Sequence, residues 1–299
     1  MDRIKLDDKI FKKCNESIII SGSSRSGTTL LGKILHSFEN VEYAYEPPML
    51  FSLFSVMAYL DKNYWKLLYE TYLYEEFLMN ALAGRAINCN KADDSSIYNV
   101  KPLKLIEERL NKSFRKIEAE RLAQNSHIVY KIPDIVPFLP ILKKYYPGIK
   151  IIIMLRDAPS VFWSILEKGW FNDKSLKEEN LIWPNRFLKG IRIPFWVDQQ
   201  DAEEWVEMDE LHRIAYYYIR VNQPLADIPD YIEVKYSKLV DNPEKITKTL
   251  AERLGMLFGE KTTQLISMVS LKRKNADHAI LDKLIPGVKE KVEYYSSLS

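Results

Sequence analysis

Two short stretches gather residue types suited to holding anions. Ser17 to Leu31 reads SIIISGSSRSGTTLL: a β-branched run, a polar loop with two glycines, then a helix-forming tail. Backbone N–H groups exposed in such a loop, together with the dipole at the helix N-terminus, bind an anion without help from net charge. Gly22 and Gly27 have the spacing of the nucleotide-binding GxxxxGK[ST] loop, but Thr28 stands where that motif has lysine. The loop's cation is Arg25. A serine- and glycine-rich turn can also be no more than a connection, and the glycine spacing alone is weak. The strand context, Ser24, Ser26, the Thr28–Thr29 pair and Arg25 together point to phosphate. The missing lysine counts against an ordinary ATPase, because that lysine reaches the β- and γ-phosphates.

The second stretch, KIIIMLRDAPSVFWSILEKG, runs from 150 to 169. Pro159 suits a first helical turn and Asp157 the cap before it, so Arg156 emerges at the C-terminal end of a strand and Ser164 lies eight positions on, inside the helix. Ligands of open parallel sheets bind outside those strand ends, which would set Arg156 beside the glycine loop. A planar cation and a hydroxyl suit a second phosphate. An ordinary surface pair of Arg156 with Asp157 fits the same residues. Lys131 closes another apolar run, HIVYK, where a buried ammonium needs an anion or water.

These residues need a scaffold, and five runs supply one: 17–21, 41–45, 127–131, 150–155 and 231–236. Ile18 to Ile20 and Ile151 to Ile153 are continuous rather than alternating, as strands covered on both faces require. The spacing predicts helices over 28–38, 64–82, 103–124, 159–168, 203–221 and 243–254, with a buried helix in Pro47 to Leu60. Residues 84–102 crowd Asn, Asp, Ser and Pro and read as a mobile connection. The fold class expected is α/β: one three-layer domain spanning 1–299, a central parallel sheet flanked by helices, like the P-loop nucleotide kinases.

The 299 residues carry 43 Lys+Arg against 41 Asp+Glu, so no broad basic surface draws nucleic acid or an acidic membrane. Cys14 and Cys89 form no metal or disulfide framework. The N-terminus lacks a signal-peptide core and no run spans a bilayer, so a cytoplasmic protein without a structural metal is expected.

The two anion segments together resemble the PAPS-dependent sulfotransferases, which move SO3 from 3'-phosphoadenosine 5'-phosphosulfate (PAPS) to an alcohol, phenol or amine and release PAP. That family's [KR]SGTT loop is matched by Arg25-Ser26-Gly27-Thr28-Thr29, and its Arg with a Ser eight positions on by Arg156 and Ser164. A third match, VKYSKLVDNPEKITKTLAERLG (234–255), implies that Tyr236 lies near the adenine. The Lys-x-His of the small-molecule cytosolic enzymes is Lys131-Ile132-Pro133 here, without the histidine. The arginine loop looks more like the tyrosylprotein and bacterial carbohydrate or small-molecule branches, where a Glu is the base. Glu46 in YAYEPP falls at that position; it could equally be an acid favoured by a helix start. His36 and His127 are rival bases. The family often closes over the 3'-phosphate with a basic segment, which points to Arg273 in Lys272-Arg273-Lys274, although Asn275 replaces the family's glycine.

The resemblance implies in-line transfer without metal, with Glu46 taking the acceptor proton, Arg25 and Lys131 offsetting charge, and Thr28 and Thr29 holding the 5'-phosphate. Trp163, Trp170, Trp183, Trp196 and Trp205 cluster in or beside 169–205, which reads either as an acceptor pocket or lid, or as a satellite hydrophobic cluster. Asp198, Asp201, Glu203 and Glu204 there suit a cationic or polyhydroxylated acceptor. A small-molecule or carbohydrate acceptor is expected. The alternative is a P-loop nucleotide or small-molecule kinase using ATP and magnesium.

Overall fold

The computed structural model describes residues 4–93, 95–111, 116–177, 184–269 and 276–299. Its centre is a five-stranded sheet of β1 (Ile18–Gly22), β2 (Val41–Tyr45), β3 (His127–Lys131), β4 (Lys150–Leu155) and β7 (Ile232–Lys235), in the order β2-β3-β1-β4-β7. Every pairing in it is parallel, so each connection has to cross over the sheet and helices cover both faces.

The uninterrupted isoleucines are explained by that double covering. Ile18, Ile20, Val129, Ile152 and Met154 pack with Leu31, Ile34 and Leu35 of helix Thr28–His36 and with Leu250 and Leu254 of helix Pro243–Leu254. Ile19, Tyr130, Ile151 and Ile153 face the other way, against Val161 and Phe162 of helix Ala158–Leu166 and Ile214, Tyr217 and Tyr218 of helix Glu210–Asn222. The layers are three, as the sequence predicts. The chain leaves the central β1 toward β2 and β3 and returns through β4 and β7, so the crevice beyond the strand ends opens at β1.

Several helices differ from the periodicity reading. The run expected over 64–82 is an α-helix, Lys62–Thr71, that widens into π turns over Tyr72–Met79. The run 203–221 breaks at Met208, whose extended backbone lets the Asp209 side chain accept from the His212 N–H and cap a new helix. Helix Asp8–Asn15, helix Pro286–Ser297 and a hairpin of β5 (Asn185–Leu188) and β6 (Ile191–Pro194) add to the elements expected from the sequence. Lys189 and Gly190, both left-handed, make the hairpin's turn. Among the described residues no helix is long and apolar enough to cross a membrane.

Candidate functional site

The glycine loop joins β1 to helix Thr28–His36. Gly22 (φ 134°) lies so close to β4 that a Cβ there would meet the Met154 carbonyl oxygen at 2.4 Å. Gly27 (φ 98°) caps the helix, and a Cβ on it would strike the Tyr236 ring at 2.4 Å. Non-glycine residues rarely adopt positive φ, yet Arg25 (71°), Glu46 (43°) and Asp134 (69°) all do, each in the loop or just past a strand that ends beside it.

Parallel pairing of β4 with β1 brings Arg156 to the loop, where its guanidinium donates to the Arg25 carbonyl at 2.7 Å and lies 4.5 Å from the centroid of the Tyr236 ring. Arg25 in turn donates from Nε to Ser164 Oγ at 2.8 Å, under the Trp170 ring. Ser164 therefore meets Arg25, while Arg156 meets Tyr236. Asp157 caps its helix by accepting from the Ser160 N–H at 2.9 Å. Two buried polar atoms in this cluster, Ser26 Oγ and Arg156 Nε, have no partner among the described residues. Groups buried unpaired are costly unless something arrives to bond them, and an anion is the natural complement of both.

β3 delivers the second half of the site. Lys131, its side chain 3% exposed, forms an ion pair with Glu46 and donates to Thr29 Oγ1 at 3.2 Å, with its ammonium 4.6 Å from the Tyr45 ring centroid. The Glu46 N–H donates to the Lys131 carbonyl at 2.9 Å, which fixes the chain as it turns into helix Pro48–Ser55. That helix takes no side-chain cap, so Glu46 faces a lysine rather than a helix terminus. Of the rival bases, His36 is desolvated against Tyr43, and burial, then Lys101 and Arg109, hold its pKa well below the usual histidine value. His127 begins β3, at the opposite end from Lys131.

Sequence reasoning missed Asp134. Its carboxylate accepts from the Ser24 N–H at 3.1 Å, from Ser24 Oγ at 3.1 Å and from the Tyr217 hydroxyl, while its own N–H donates to the Gly22 carbonyl at 3.1 Å. Burial, partly offset by these bonds, pushes its pKa up to about 6. The clue is a lone acid in the apolar run IPDIVPFLPIL. Tyr217 also accepts from the Ser24 N–H, and Tyr218 donates to the Arg156 carbonyl at 2.9 Å, so one helix braces both anion segments.

The aromatic stretch is largely core. Phe171, Trp196, Trp205 and Tyr217 pack edge to face within 5.0 to 5.8 Å of one another, and Trp170 alone among its described tryptophans lies over Arg25. Three of the four acidic residues expected to suit a cationic acceptor bond neighbouring side chains: Asp198 pairs with Arg220 at 2.6 Å, Asp201 accepts from Tyr216 at 2.7 Å, and Glu203 pairs with Lys189 at 2.8 Å. Glu204 lines, with Asp198 and Asp201, a cavity of about 610 Å³. Trp183 and the basic triplet with Arg273 lie outside the described residues.

Residues 17–260 match the family model described as Sulfotransferase family. Among solved structures the chain is similar to the sulfotransferase domain from the Synechococcus PCC 7002 olefin synthase, at 17% identity over 94% of this chain and 93% of that one, with a TM-score of 0.47. It is similar also to a sulfotransferase from Alicyclobacillus acidocaldarius, at 13% identity over 94% of each chain and a TM-score of 0.43. A sulfotransferase from Mycobacterium tuberculosis H37Rv matches at 14% identity over 93% of this chain and 76% of that one, with a TM-score of 0.42. No curated protein matches.

Proposed function

The chain belongs to the sulfotransferase family, and on that premise we propose that it moves the sulfuryl group of PAPS to the hydroxyl or amine of a small-molecule acceptor. The observation that carries the donor assignment is the meeting of Arg25, Arg156, Ser164 and Tyr236 around the glycine loop, with Ser26 Oγ and Arg156 Nε unbonded among the described residues.

Ser24, Ser26, Gly27, Thr28 and Thr29 would surround the 5'-phosphosulfate with hydroxyls and N–H groups at a helix N-terminus. Arg25, anchored through Nε, keeps its terminal nitrogens for anionic oxygens. Arg156 would take the 3'-phosphate and Tyr236 the adenine. PAPS supplies an activated sulfuryl group. In the balanced transfer the acceptor oxygen bonds to sulfur, the sulfur–phosphate oxygen bond breaks with its electron pair leaving on PAP, and the hydroxyl proton passes to Glu46. An ammonium has three donors; Lys131 uses one on Glu46 and one on Thr29, which leaves a third for the charge that grows on the transferring oxygens.

Thermal unfolding tests the donor. PAP without magnesium should stabilise the chain by about 2.7 kcal/mol at 100 times its Kd. Stabilisation by ATP with magnesium and none by PAP would replace this reading with the kinase.

A further inference from the structure

The sheet leaves room beside Glu46 at its edge. Among the described residues β2 pairs only with β3, and along it lies a cavity of about 600 Å³. Small-ligand sites run from roughly 300 to 1,000 Å³. Thr29, Tyr45 and Pro47 line the end nearest the reaction centre. Thr29 and Tyr45 are the same residues that touch the Lys131 ammonium, and Glu46 sits between Tyr45 and Pro47.

More of the remaining wall is apolar than polar, with Tyr43, Tyr72, Phe77, Ile87 and Ile97 among its large side chains and Asn88, Asp93 and Ser95 as a polar corner. Its charges cancel. Arg109 grips Glu42 through two hydrogen bonds of 2.9 and 2.5 Å. Lys33 faces Asp93 closely enough to favour that carboxylate, although local hydrogen bonds from Ser95 matter more. His36 is uncharged for the reasons given above.

We propose that this cavity along β2 is the acceptor site, and that the acceptor is a neutral hydroxyl compound with an apolar body. The proposal rests on the sulfotransfer reading for its chemistry, and on the cavity alone for its location and preference. A sugar would lose water from several hydroxyls against a wall whose polar groups are mostly committed, Asn88 and Asp93 to Ser95 and Arg109 to Glu42, with the Tyr43 hydroxyl left without a partner among the described residues. An ammonium compound would find Glu42 already gripped by Arg109, Glu46 by Lys131, and the Asp93 carboxylate bonded by Ser95. A phenol or a long-chain alcohol loses nothing of the kind, and burying its body against Tyr72, Phe77 and Ile87 is favourable.

Equilibrium dialysis of 2-naphthol and 1-octanol against the full chain reads occupancy without requiring turnover. At least one should bind, and neither glucose nor tyramine should displace it. Ala86 lines the cavity but is exposed, so Ala86→Trp can reach into it without disturbing the core. That variant should bind the alcohol at least tenfold more weakly while PAP affinity stays within twofold, and Ala86→Phe should lose less. The proposal is overturned if neither alcohol binds, if glucose or tyramine displaces it, or if Ala86→Trp, with an unchanged melting temperature, binds like wild type. Failure of PAP to bind counts against the donor assignment and leaves the dialysis result readable.

Discussion

Asp134 offers the sharpest test of how the glycine loop is held. Its pKa rises from an ordinary 3.8 to about 6 because burial outweighs three hydrogen bonds, with Glu46 adding repulsion. Two units at about 1.4 kcal/mol each give roughly 3 kcal/mol, which residual solvent contact trims to about 1 to 3 kcal/mol. The sign follows from which state loses its proton first. Below about pH 4 the carboxyl is protonated folded or unfolded and contributes nothing. Between about pH 4 and 6 the unfolded chain gives up the proton while the folded chain keeps it, so stability falls as pH rises; above 6 the loss is complete.

Asp134→Asn has no such proton. Urea unfolding followed by tryptophan fluorescence from pH 4.5 to 7.5 should show the variant gaining about 1 to 3 kcal/mol on wild type as pH rises. The amide offers one acceptor oxygen where the carboxylate offers two, so a bond to Ser24 or Tyr217 is lost and PAP binding should weaken by about tenfold. A variant whose stability rises against wild type as pH rises, and which binds PAP more weakly, is the expected combination. A stability gap that stays flat with pH, or unchanged PAP affinity, refutes the idea that a desolvated carboxylate positions this loop.

Three other changes probe separate parts of the molecule. Glu46→Gln should cut turnover by about 10² to 10⁴ with PAP affinity within twofold, the signature of a lost general base; an unchanged rate assigns that role elsewhere. Gly27→Ala forces a Cβ at φ 98° into the Tyr236 ring, so it should lower stability by about 1 to 3 kcal/mol and weaken PAP, read together by thermal unfolding with and without PAP. Arg109→Met strands the buried Glu42 carboxylate and should cost about 3 to 5 kcal/mol in urea, most of it recovered in a Glu42→Leu/Arg109→Met double variant.

Much of the site was legible because its parts are local. A continuous isoleucine run, a glycine where φ must be positive and a proline after a strand each declare themselves within a few residues. Those patterns located the loop, the Arg156 segment and all five strands of the main sheet. Asp134 and Tyr217 were not legible in the same way. One follows β3 and the other lies inside a helix more than eighty positions on, and neither has a neighbour in sequence that explains it. The aromatic stretch left two readings open for the same reason, since tryptophans that pack on one another look, in sequence, like tryptophans that line a pocket.

The sequence by itself determined the doubly covered parallel sheet and the glycine loop between β1 and its helix, because periodicity and backbone constraint act over short spans. Tertiary structure decided the partnerships. The strand order set Lys131 against Glu46 and Thr29, turned Arg156 onto Tyr236, and left open space along β2 beside Glu46. Such contacts depend on which distant segments a parallel sheet makes neighbours, and no local pattern carries that information.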